Sequence, residues 1–408
     1  MTRATGNVDA MTVDSEGPLT EALGTDFFSV RRRFSEAQWD TFMAVRRYVD
    51  RVVSPAAPAA WDAAEMPWEV INGLPELDVV GDDIEGYGCP GHDPLTSGLV
   101  AMELARGDGS LATFHAVQSG LAMKSIAMLG SEEQKQEFLP AMARLDLIGA
   151  FGLTEPEHGS DSVSLETSAR RDGDDWVIDG RKRWIGNGSI AGRTVVWARD
   201  VETRAVLGFL VDTTTPGYEA EIIPRKGSMR SVWQADIRLD GVRVPERDRL
   251  PGAESFKDTG RVLATTRGTC AWMALGHATA GYDAALRYAL ERKQFGKPLA
   301  GMQIVQERLV QMLAELTGMQ LYCMQIAQLA EDDDLAPTIA GLAKMNNTRK
   351  ARWVLSHARD LLGGNGILLD NHVVRHMADI ESIHTFEGTE TIQTLIVGRE
   401  ITGHSAFT

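Results

Sequence analysis

Hydrophobic and polar residues alternate with two different periods along the chain. Between Ser35 and about Leu147, apolar residues recur every three or four positions, which predicts a series of amphipathic helices. The period shortens at about residue 149, where runs typical of β-strands are separated by Asp-Gly pairs, as at 172–173 and 240–241. Asp-Gly between two such runs is a hairpin signal, so this part of the chain is predicted to form antiparallel strands.

Helical spacing resumes after the strand region and continues to the C-terminus. One apolar pattern that begins near Asp258 runs for more than 30 residues, which suits a helix bundle or a subunit interface. The chain is therefore predicted to have four segments. They are a polar lead-in over 1–34, a helical domain over 35–148, an antiparallel β-domain over 149–252 and a C-terminal helical domain over 253–408.

The composition is that of an ordinary globular protein, and its charge argues against several functions. The 408 residues are 43% hydrophobic and 24% charged, and the formal net charge is -16. Such a charge opposes binding to a phosphate backbone, so we expect no nucleic-acid partner. No run approaches the roughly 18 apolar residues of a membrane span, so we expect no membrane partner either.

The cysteines and the chain ends bear on the cellular compartment. Cys89, Cys270 and Cys323 lie far apart, without metal-ligand or disulfide spacing, so we predict no metal site and a reducing compartment. The N-terminal stretch resembles neither a secretory signal nor a transit peptide, and the C-terminal HSAFT is not a peroxisomal signal. We therefore expect a cytoplasmic protein.

Two motifs in the strand region could bind a ligand or could serve only structural purposes. The loop FGLTEPEHGSD, from Phe151 to Asp161, concentrates glycine and hydroxyl residues that suit a phosphate and equally suit an ordinary turn. In RKRWIGNG, Trp184 and Ile185 end a strand just before Gly186. An aromatic side chain there can stack on a planar cofactor, although a tryptophan in a strand is more often part of the core.

Three motifs in the C-terminal helical region carry similar alternatives. In ERKQFG, Arg292 stands at a helix end, where a cation satisfies the helix C-terminus or binds an external phosphate. The adjacent Gly363 and Gly364 of LLGGNG allow close backbone approach and also suit a helix-capping turn. Glu387, in HTFEGTET, precedes a predicted helix and is either a simple helix-start residue or a catalytic base.

The order of these motifs favours the functional alternatives. LTEPxxGSD, WIxN, RKxFGxxL, LGGNG and FEGT, in this order and after a helical domain, resemble the acyl-CoA dehydrogenase superfamily over nearly the whole chain. The stretches ARDLLGGNGI, NHVVRH and FEGTETIQTLIVGREITGHSAF are similar to the glutaryl-CoA dehydrogenase branch and the related plant short-chain acyl-CoA oxidases. The resemblance implies an α+β enzyme with an N-terminal helical domain, a middle antiparallel β-domain and a C-terminal four-helix bundle.

The same resemblance implies that FAD binds between the β-domain and the C-terminal helices of a homotetramer, or at least of a dimer. Matching positions would contact the flavin and its pyrophosphate, or the adenine nucleotide across a subunit interface. The flavin side comprises Phe151, Leu153, Thr154, Ser160, Trp184, Ile185, Gly186 and Thr389, and the interface side comprises Arg292, Phe295, Gln303, Asp360, Gly363 and Gly364. Ser160 would also contact the pantetheine arm of an acyl-CoA substrate.

The resemblance assigns the catalytic base to Glu387, which would remove the α-proton of an acyl-CoA while FAD accepts the β-hydride. The backbone N–H of Glu387, with a ribityl hydroxyl of the flavin, would polarise the thioester carbonyl. The following helix favours the ionised carboxylate, and burial beside Phe386 favours the neutral form; we expect burial to dominate once substrate binds. Some relatives carry the base at the position of Thr266, which cannot act as one. Arg267 and Gly388 match substrate-binding positions.

The remainder of this C-terminal stretch is predicted to be structural. Ile392, Leu395, Ile396 and Arg399 recur with the spacing of one helix face and are expected to be scaffold residues. His384 is expected to be a packing residue or part of a pocket wall, and not a second base.

Two residues depart from the family pattern. Glutaryl-type enzymes hold the distal carboxylate with an arginine where this chain has Ala112, so the resemblance implies a substrate-binding wall for a monocarboxylic acyl-CoA of short or medium chain. Most dehydrogenases have a threonine that bonds flavin N5 where this chain has Gly186, which would remove that bond and open space by the flavin. Asp360, by contrast, matches the glutaryl branch.

These departures leave three functions open, of which a dehydrogenase is preferred. A dehydrogenase passes its electrons to an electron-transfer flavoprotein. In an acyl-CoA oxidase, dioxygen reaches the reduced flavin and hydrogen peroxide is released, which the space at Gly186 would favour. A non-catalytic flavoprotein scaffold is disfavoured because Glu387, Arg292 and Trp184 are all present.

Overall fold

The computed structural model describes Asp26 and residues 28–406, so most of the predicted polar lead-in, 1–34, lies outside the described residues. The first region is helical. Its α-helices α1 to α7 span Glu36–Tyr48, Ser54–Ala63, Trp68–Ile71, Pro94–Gly107, Gly109–His115, Lys124–Leu129 and Glu132–Ala143. The π-helical segments Val49–Val53 and Ala116–Met123 join α1 to α2 and α5 to α6, and the short strands β1 and β2, Glu85–Gly86 and Cys89–Pro90, form a hairpin.

Local side-chain hydrogen bonds fix where several of these helices begin. The hydroxyl of Ser35 accepts a hydrogen bond from the backbone N–H of Gln38 at 3.2 Å, and the Gln38 side chain accepts one from the N–H of Ser35 at 2.8 Å. Ser131 and Gln134 form the same reciprocal pair at the start of α7. Each pair satisfies two N–H groups that a helix start leaves without partners, which is why the sequence pattern locates these starts well.

The middle region is a seven-stranded sheet that lies in the chain between the two helical regions. Its strands β3 to β9 span Gly149–Gly152, Ser168–Asp172, Asp175–Gly186, Arg193–Asp200, Val206–Asp212, Tyr218–Ile222 and Gln234–Pro245. The order across the sheet is β3-β6-β4-β5-β9-β8, and β7 also pairs with β6. Most pairs are antiparallel, and Asp172-Gly173 joins β4 to β5 as predicted. The hairpin predicted at Asp240-Gly241 is wrong, because this pair lies inside β9 at an irregularity in its pairing with β5. Strand β6 runs parallel to both β3 and β4. No hairpin signal marks these two parallel pairs, because they join strands that are distant in sequence.

The C-terminal region returns to helices, and the predicted α+β fold is confirmed. Helices α8 to α12 span Phe256–Glu291, Gln303–Glu331, Pro337–Leu361, Val373–Thr385 and Glu390–Thr402, and the short strands β10 and β11, Lys293–Gln294 and Lys297–Pro298, lie between α8 and α9. Helix α8 has 36 residues and packs against α4, α9, α10 and α11. No helix in the described part of the chain is long and apolar enough to cross a membrane.

Glycines let the N-terminal helices approach the long helix α8 closely. A Cβ atom on Gly276 of α8 would lie 2.1 Å from the carbonyl oxygen of Met102 in α4, and one on Gly98 of α4 would lie 2.3 Å from the Trp272 ring in α8. At Gly276 no side chain fits between the two backbones, and at Gly98 the Trp272 ring occupies the space that a Cβ atom would need. This contact fixes the position of α8 against the first region, and α8 carries residues of the cavity described below.

We expect Gly276→Ala to lower the free energy of unfolding by about 1–3 kcal/mol, because the added methyl group overpacks the contact with Met102. The matched control is Gly260→Ala in the same helix, where a Cβ atom meets nothing within 4 Å. There the higher helix propensity of alanine stabilises by up to about 1 kcal/mol. Thermal or urea unfolding of both variants measures the difference, and equal effects of the two substitutions would contradict the close contact.

Candidate active site

A large cavity lies where both helical regions meet the sheet. Its volume is about 1520 Å³, which exceeds the roughly 300–1,000 Å³ of a typical site for one small ligand. The walls come from the π-helical segment Ala116–Met123, the loop that follows β3, the end of β5, the segment 225–229, helix α8 and the turn 385–389. The cavity is therefore large enough for a cofactor and a substrate together.

Glu387 lies in the cavity wall, in the turn between α11 and α12. Its backbone is left-handed, with φ of 55°, and Gly388 follows with φ of 80°. The side-chain hydroxyl of Thr266 in α8 donates a hydrogen bond to Glu387 Oε2 at 2.7 Å. Thr266, which stands where some relatives carry the base, thus contacts the predicted base directly. A Cβ atom on Gly120 would lie 3.3 Å from Thr266 Cγ2, so the π-helical wall passes beside this pair.

Burial sets the protonation behaviour of Glu387. The residue is only partly buried because it faces the cavity, yet loss of contact with bulk water raises the pKa of its carboxyl group. The hydrogen bond from Thr266 and the positive charges of Lys344 and Arg267 oppose this rise. The net direction is upward, and dominance of burial once substrate binds stays a prediction. A base with a raised pKa holds its proton more strongly once it has taken it up.

The helix after this turn contributes more than scaffold. Thr389 caps α12 by accepting a hydrogen bond from the N–H of Ile392 at 3.2 Å. Ile392 and Ile396 both line the cavity, so the prediction that this face is only scaffold is wrong for these two residues. The spacing that predicts a packing face is the same for a cavity wall, and the sequence cannot distinguish the two.

His384 of α11 is hydrogen-bonded to the Thr348 hydroxyl at 3.3 Å and lines no part of the cavity.

A buried ion pair shapes the loop after β3. The Lys182 ammonium, in β5, donates to Glu155 Oε1 at 2.8 Å and to the carbonyl oxygen of Leu153 at 3.1 Å. The same carboxylate accepts the N–H groups of Glu166 at 2.6 Å and Thr167 at 2.9 Å. Burial lowers the pKa of Lys182 to about 8. Neither Glu155 nor Lys182 is among the residues predicted for the site. The available signal in the sequence was that Glu155 lies within the loop FGLTEPEHGSD.

The end of β5 turns an aromatic ring toward the cavity. The pairing of β5 with β9 is irregular between Lys182 and Ile185, and Trp184 there adopts a left-handed backbone with φ of 62°. Its side chain is 52% exposed and lines the cavity, with the Arg183 guanidinium 5.3 Å from the ring centre. Trp184 is therefore not a core residue. Its exposed ring fits a planar ligand.

The space beside Gly186 is filled by another residue. A Cβ atom on Gly186 would lie 2.8 Å from Cγ2 of Val117, which projects from the π-helical segment and also lines the cavity. The expectation that Gly186 opens space is therefore wrong. Val117 was missed in the sequence because nothing there links it to a residue far along the chain.

All predicted flavin-side residues line the cavity, and the predicted interface residues do not. Glu387, Arg267 and Gly388 line the cavity, as do all eight residues of the predicted flavin side: Phe151, Leu153, Thr154, Ser160, Trp184, Ile185, Gly186 and Thr389. The six predicted interface residues lie outside it and are exposed: Arg292, Phe295, Gln303, Asp360, Gly363 and Gly364. Ala112 is only 2% exposed and packs in the core, whereas the next residue, Thr113, lines the cavity. The wall position predicted for Ala112 is thus wrong by one residue.

Three family models match the chain in consecutive segments. They describe the acyl-CoA dehydrogenase N-terminal domain over residues 35–146, the middle domain over 150–242 and the C-terminal domain over 256–402. The chain belongs to the acyl-CoA dehydrogenase family. As a member of this family it is an oxidoreductase that uses FAD.

Known acyl-CoA dehydrogenases resemble the chain over most of its length. A short-chain specific acyl-CoA dehydrogenase of Bos taurus mitochondria is 31% identical, over 86% of this chain and 87% of that protein. The crystal structure of glutaryl-CoA dehydrogenase from Mycobacterium smegmatis is 39% identical and matches with a TM-score of 0.91, over 94% of this chain and 99% of that chain. A structure of that enzyme in complex with FADH2 is 38% identical and has the same TM-score, 0.91, over 93% and 98%.

The residues of this acyl-CoA dehydrogenase fit an FAD in the cavity. Trp184 presents an exposed ring, and Phe151 and Leu153 supply apolar walls at 7% and 6% exposure. The buried Nε of Arg267, which also lines the cavity, has no hydrogen-bond partner among the residues described. An apolar wall with a few unpaired polar atoms is typical of a small-molecule site.

We expect Gly186→Thr to lower both thermal stability and FAD content, because its Cβ atom meets Val117 at 2.8 Å. Overpacking of this kind costs about 1–3 kcal/mol. The double variant Gly186→Thr with Val117→Ala makes room and should recover both quantities. Thermal unfolding and the ratio of flavin to protein absorbance measure them. If Gly186→Thr alone were as stable as the unmodified protein and held as much FAD, Val117 would not fill the space beside Gly186.

Proposed function

We propose that this acyl-CoA dehydrogenase oxidises the Cα–Cβ bond of a monocarboxylic acyl-CoA of short or medium chain to the trans-2-enoyl-CoA. The observation that carries the proposal is the position of Glu387. A carboxylate with a raised pKa faces a cavity that also holds the aromatic wall at Trp184. Removal of an α-proton requires such a base on one side of the substrate and a hydride acceptor on the other.

Residues of the chain take the proton, hold the base and exclude water. FAD, when bound, supplies the acceptor for the β-hydride. The Glu387 carboxylate takes the α-proton, and the Thr266 hydroxyl holds that carboxylate by its 2.7 Å hydrogen bond. Ile392 and Ile396 add apolar surface to the cavity wall, which helps to exclude water from the base.

The wall position that holds a distal carboxylate in glutaryl-type enzymes has no cation here, although four cations line the cavity elsewhere: Lys124, Arg225, Lys226 and Arg267. Lys124 donates to Asp83 Oδ2 at 2.7 Å, and Lys226 donates to the carbonyl oxygen of Met229 at 2.7 Å and to two further oxygen acceptors. These two cations are therefore already engaged. Asp83 is itself neutralised by Lys124, and no arginine stands at Ala112 or at its neighbour Thr113 to hold a second carboxylate on the substrate.

The electron acceptor in this proposal is an electron-transfer flavoprotein. Val117 fills the space beside Gly186 on which the oxidase alternative depends, which supports a dehydrogenase over an oxidase. The six exposed residues of the predicted FAD interface, among them Phe295 at 93% exposure, fit a site completed by a second subunit. We accordingly propose a cytoplasmic homotetramer, with a dimer as the smallest complete unit.

Replacement of the base tests the proposal most directly. Glu387→Gln should lower turnover by about 10²- to 10⁴-fold, the usual contribution of a general base, while FAD content stays normal. Without air, the yellow colour of the variant should persist when acyl-CoA is added. Glu400→Gln, on the exposed surface of α12, is the control and should bleach as the unmodified protein does. A Glu387→Gln protein that keeps most of its turnover would refute the proposed role.

A substrate panel tests the acyl group and the acceptor. Butyryl-CoA should bleach the flavin without air at a higher kcat/KM than glutaryl-CoA, because Ala112 and Thr113 supply no cation where glutaryl-type enzymes hold the distal carboxylate with an arginine. Faster turnover of glutaryl-CoA would contradict the monocarboxylic assignment. Admission of air to the bleached protein should restore the colour slowly. Rapid recolouring with peroxide release would identify an oxidase instead.

A further inference from the structure

A lysine buried in helix α10 is attached to the backbone on both sides of Glu387. Lys344 is 1% exposed, and its ammonium donates hydrogen bonds to the carbonyl oxygens of Phe386 and Gly388. A buried ammonium is costly unless its hydrogens are bonded to acceptors. Here its acceptors are two carbonyl groups of a single turn, so the position of the lysine and the shape of the turn depend on each other.

A second buried side chain, that of Gln393, binds the carbonyl of Glu387, which lies between the carbonyls of Phe386 and Gly388. Gln393 of α12 is 0% exposed, and its Nε2 donates to the carbonyl oxygen of Glu387 at 3.0 Å. Its amide is tightly enclosed, since Cβ atoms on Gly341 and Gly388 would each lie 2.5 Å from it. Three successive carbonyl groups, those of residues 386, 387 and 388, are thus fixed from two different helices.

This arrangement stabilises a backbone conformation that a glutamate rarely adopts. Glu387 has φ of 55°, and a left-handed conformation costs free energy in a residue other than glycine, so the surrounding structure has to enforce it. The hydrogen bonds from Lys344 and Gln393 offset that cost. A turn without them would relax toward ordinary backbone angles and redirect both the carboxylate and the N–H of Glu387.

The same hydrogen bonds determine where the N–H of Glu387 points. The described peptide bonds are all trans, so the C=O and N–H of one peptide unit point in opposite directions. Because the carbonyl of Phe386 faces Lys344, the N–H of Glu387 in the same unit points away from Lys344. This N–H donates to no acceptor among residues 28–406. It is therefore free to donate to a ligand.

We propose that Lys344 is a positioning residue for the reaction, which holds and polarises the peptide between Phe386 and Glu387 so that the N–H of Glu387 binds the thioester oxygen. The inference rests on the proposed function. A hydrogen bond to one end of a peptide unit strengthens the hydrogen bond made at its other end. Donors fixed in advance toward a developing oxyanion lower the barrier without reorganisation. Gln393 supports the same turn without adding charge.

The charge of Lys344 also acts on the base itself. The titratable and polar groups that face Glu387 are Thr266, Arg267 and Cys270 from α8 and Lys344 from α10. Burial raises the pKa of Glu387, and the positive charges of Lys344 and Arg267 lower it. Loss of the Lys344 charge therefore raises the pKa of Glu387 further. Because only the ionised carboxylate accepts the proton, the acid limb of the pH–rate profile moves to higher pH.

The test compares Lys344→Met with Lys344→Arg in the FAD-loaded protein. Lys344→Met should lower kcat and kcat/KM together, by roughly 10- to 100-fold, which is less than the 10²- to 10³-fold cost of removing an oxyanion donor outright. Its acid limb should move to higher pH, and Lys344→Arg should restore part of both effects. Lys350→Met is the matched control, because Lys350 lies in the same helix and pairs with Glu315 on the surface at 2.8 Å.

A purely structural role for Lys344 gives a different result. Lys344→Met would then lose stability or FAD, while kcat per bound flavin and the acid limb stay unchanged, and this outcome overturns the inference. If Lys344→Met does not fold, Gln393→Met is measured instead. It should lower kcat and leave the acid limb in place, since no charge is lost, and an unchanged kcat overturns the inference. Glu387→Gln separates the two proposals, because an active Glu387→Gln protein refutes the proposed function and an inactive one does not.

Discussion

The cost of burying the Glu387 carboxylate governs the architecture of the site. A charged carboxylate away from water is unfavourable unless hydrogen bonds and opposite charges accompany it. Thr266 supplies the hydrogen bond, and Lys344 and Arg267 supply the charges. These groups come from α8 and α10, while the carboxylate comes from the turn between α11 and α12. The helices must pack together before the base has its partners.

The close approach of α4 to α8 is what anchors this assembly to the first region. Gly276 and Gly98 remove side chains where the two helices meet, so α8 lies against the N-terminal helices at a fixed depth. Thr266 and Arg267 project from the same helix into the cavity. The π-helical wall that carries Val117 passes beside them. A shift of α8 would therefore alter both the base and the wall.

A second buried ion pair fixes the loop after β3, which forms another part of the cavity wall. The Glu155–Lys182 pair connects the loop after β3 with β5, and it lies next to the cavity-lining residues Leu153 and Trp184. The site thus contains two buried lysines that donate to backbone carbonyls, and Lys182 also donates to the Glu155 carboxylate. Lys182 positions the loop after β3, and Lys344 holds the turn at Glu387. Glu387 and Trp184, by contrast, line the cavity and remain accessible to ligands.

Local sequence determined much of this protein. Apolar periodicity predicted helices that the structure contains, two of them capped by Ser35 and Ser131, and the Asp-Gly pair at 172–173 predicted the hairpin between β4 and β5. The FEGT motif identified Glu387 as the candidate base. These features depend on neighbours within a few positions, such as a capping hydroxyl or a turn residue, so the sequence alone is sufficient to read them.

The tertiary structure decided the contacts between residues that are distant in the chain. The bond from Thr266 to Glu387 spans 121 positions, and that from Lys344 to Phe386 spans 42. Val117 fills the space at Gly186, and Ile392 and Ile396 face a cavity, because of how helices and sheet pack. Side-chain spacing defines a helix face but not what that face meets. Only packing settles which residues surround a buried carboxylate, and this environment sets its pKa.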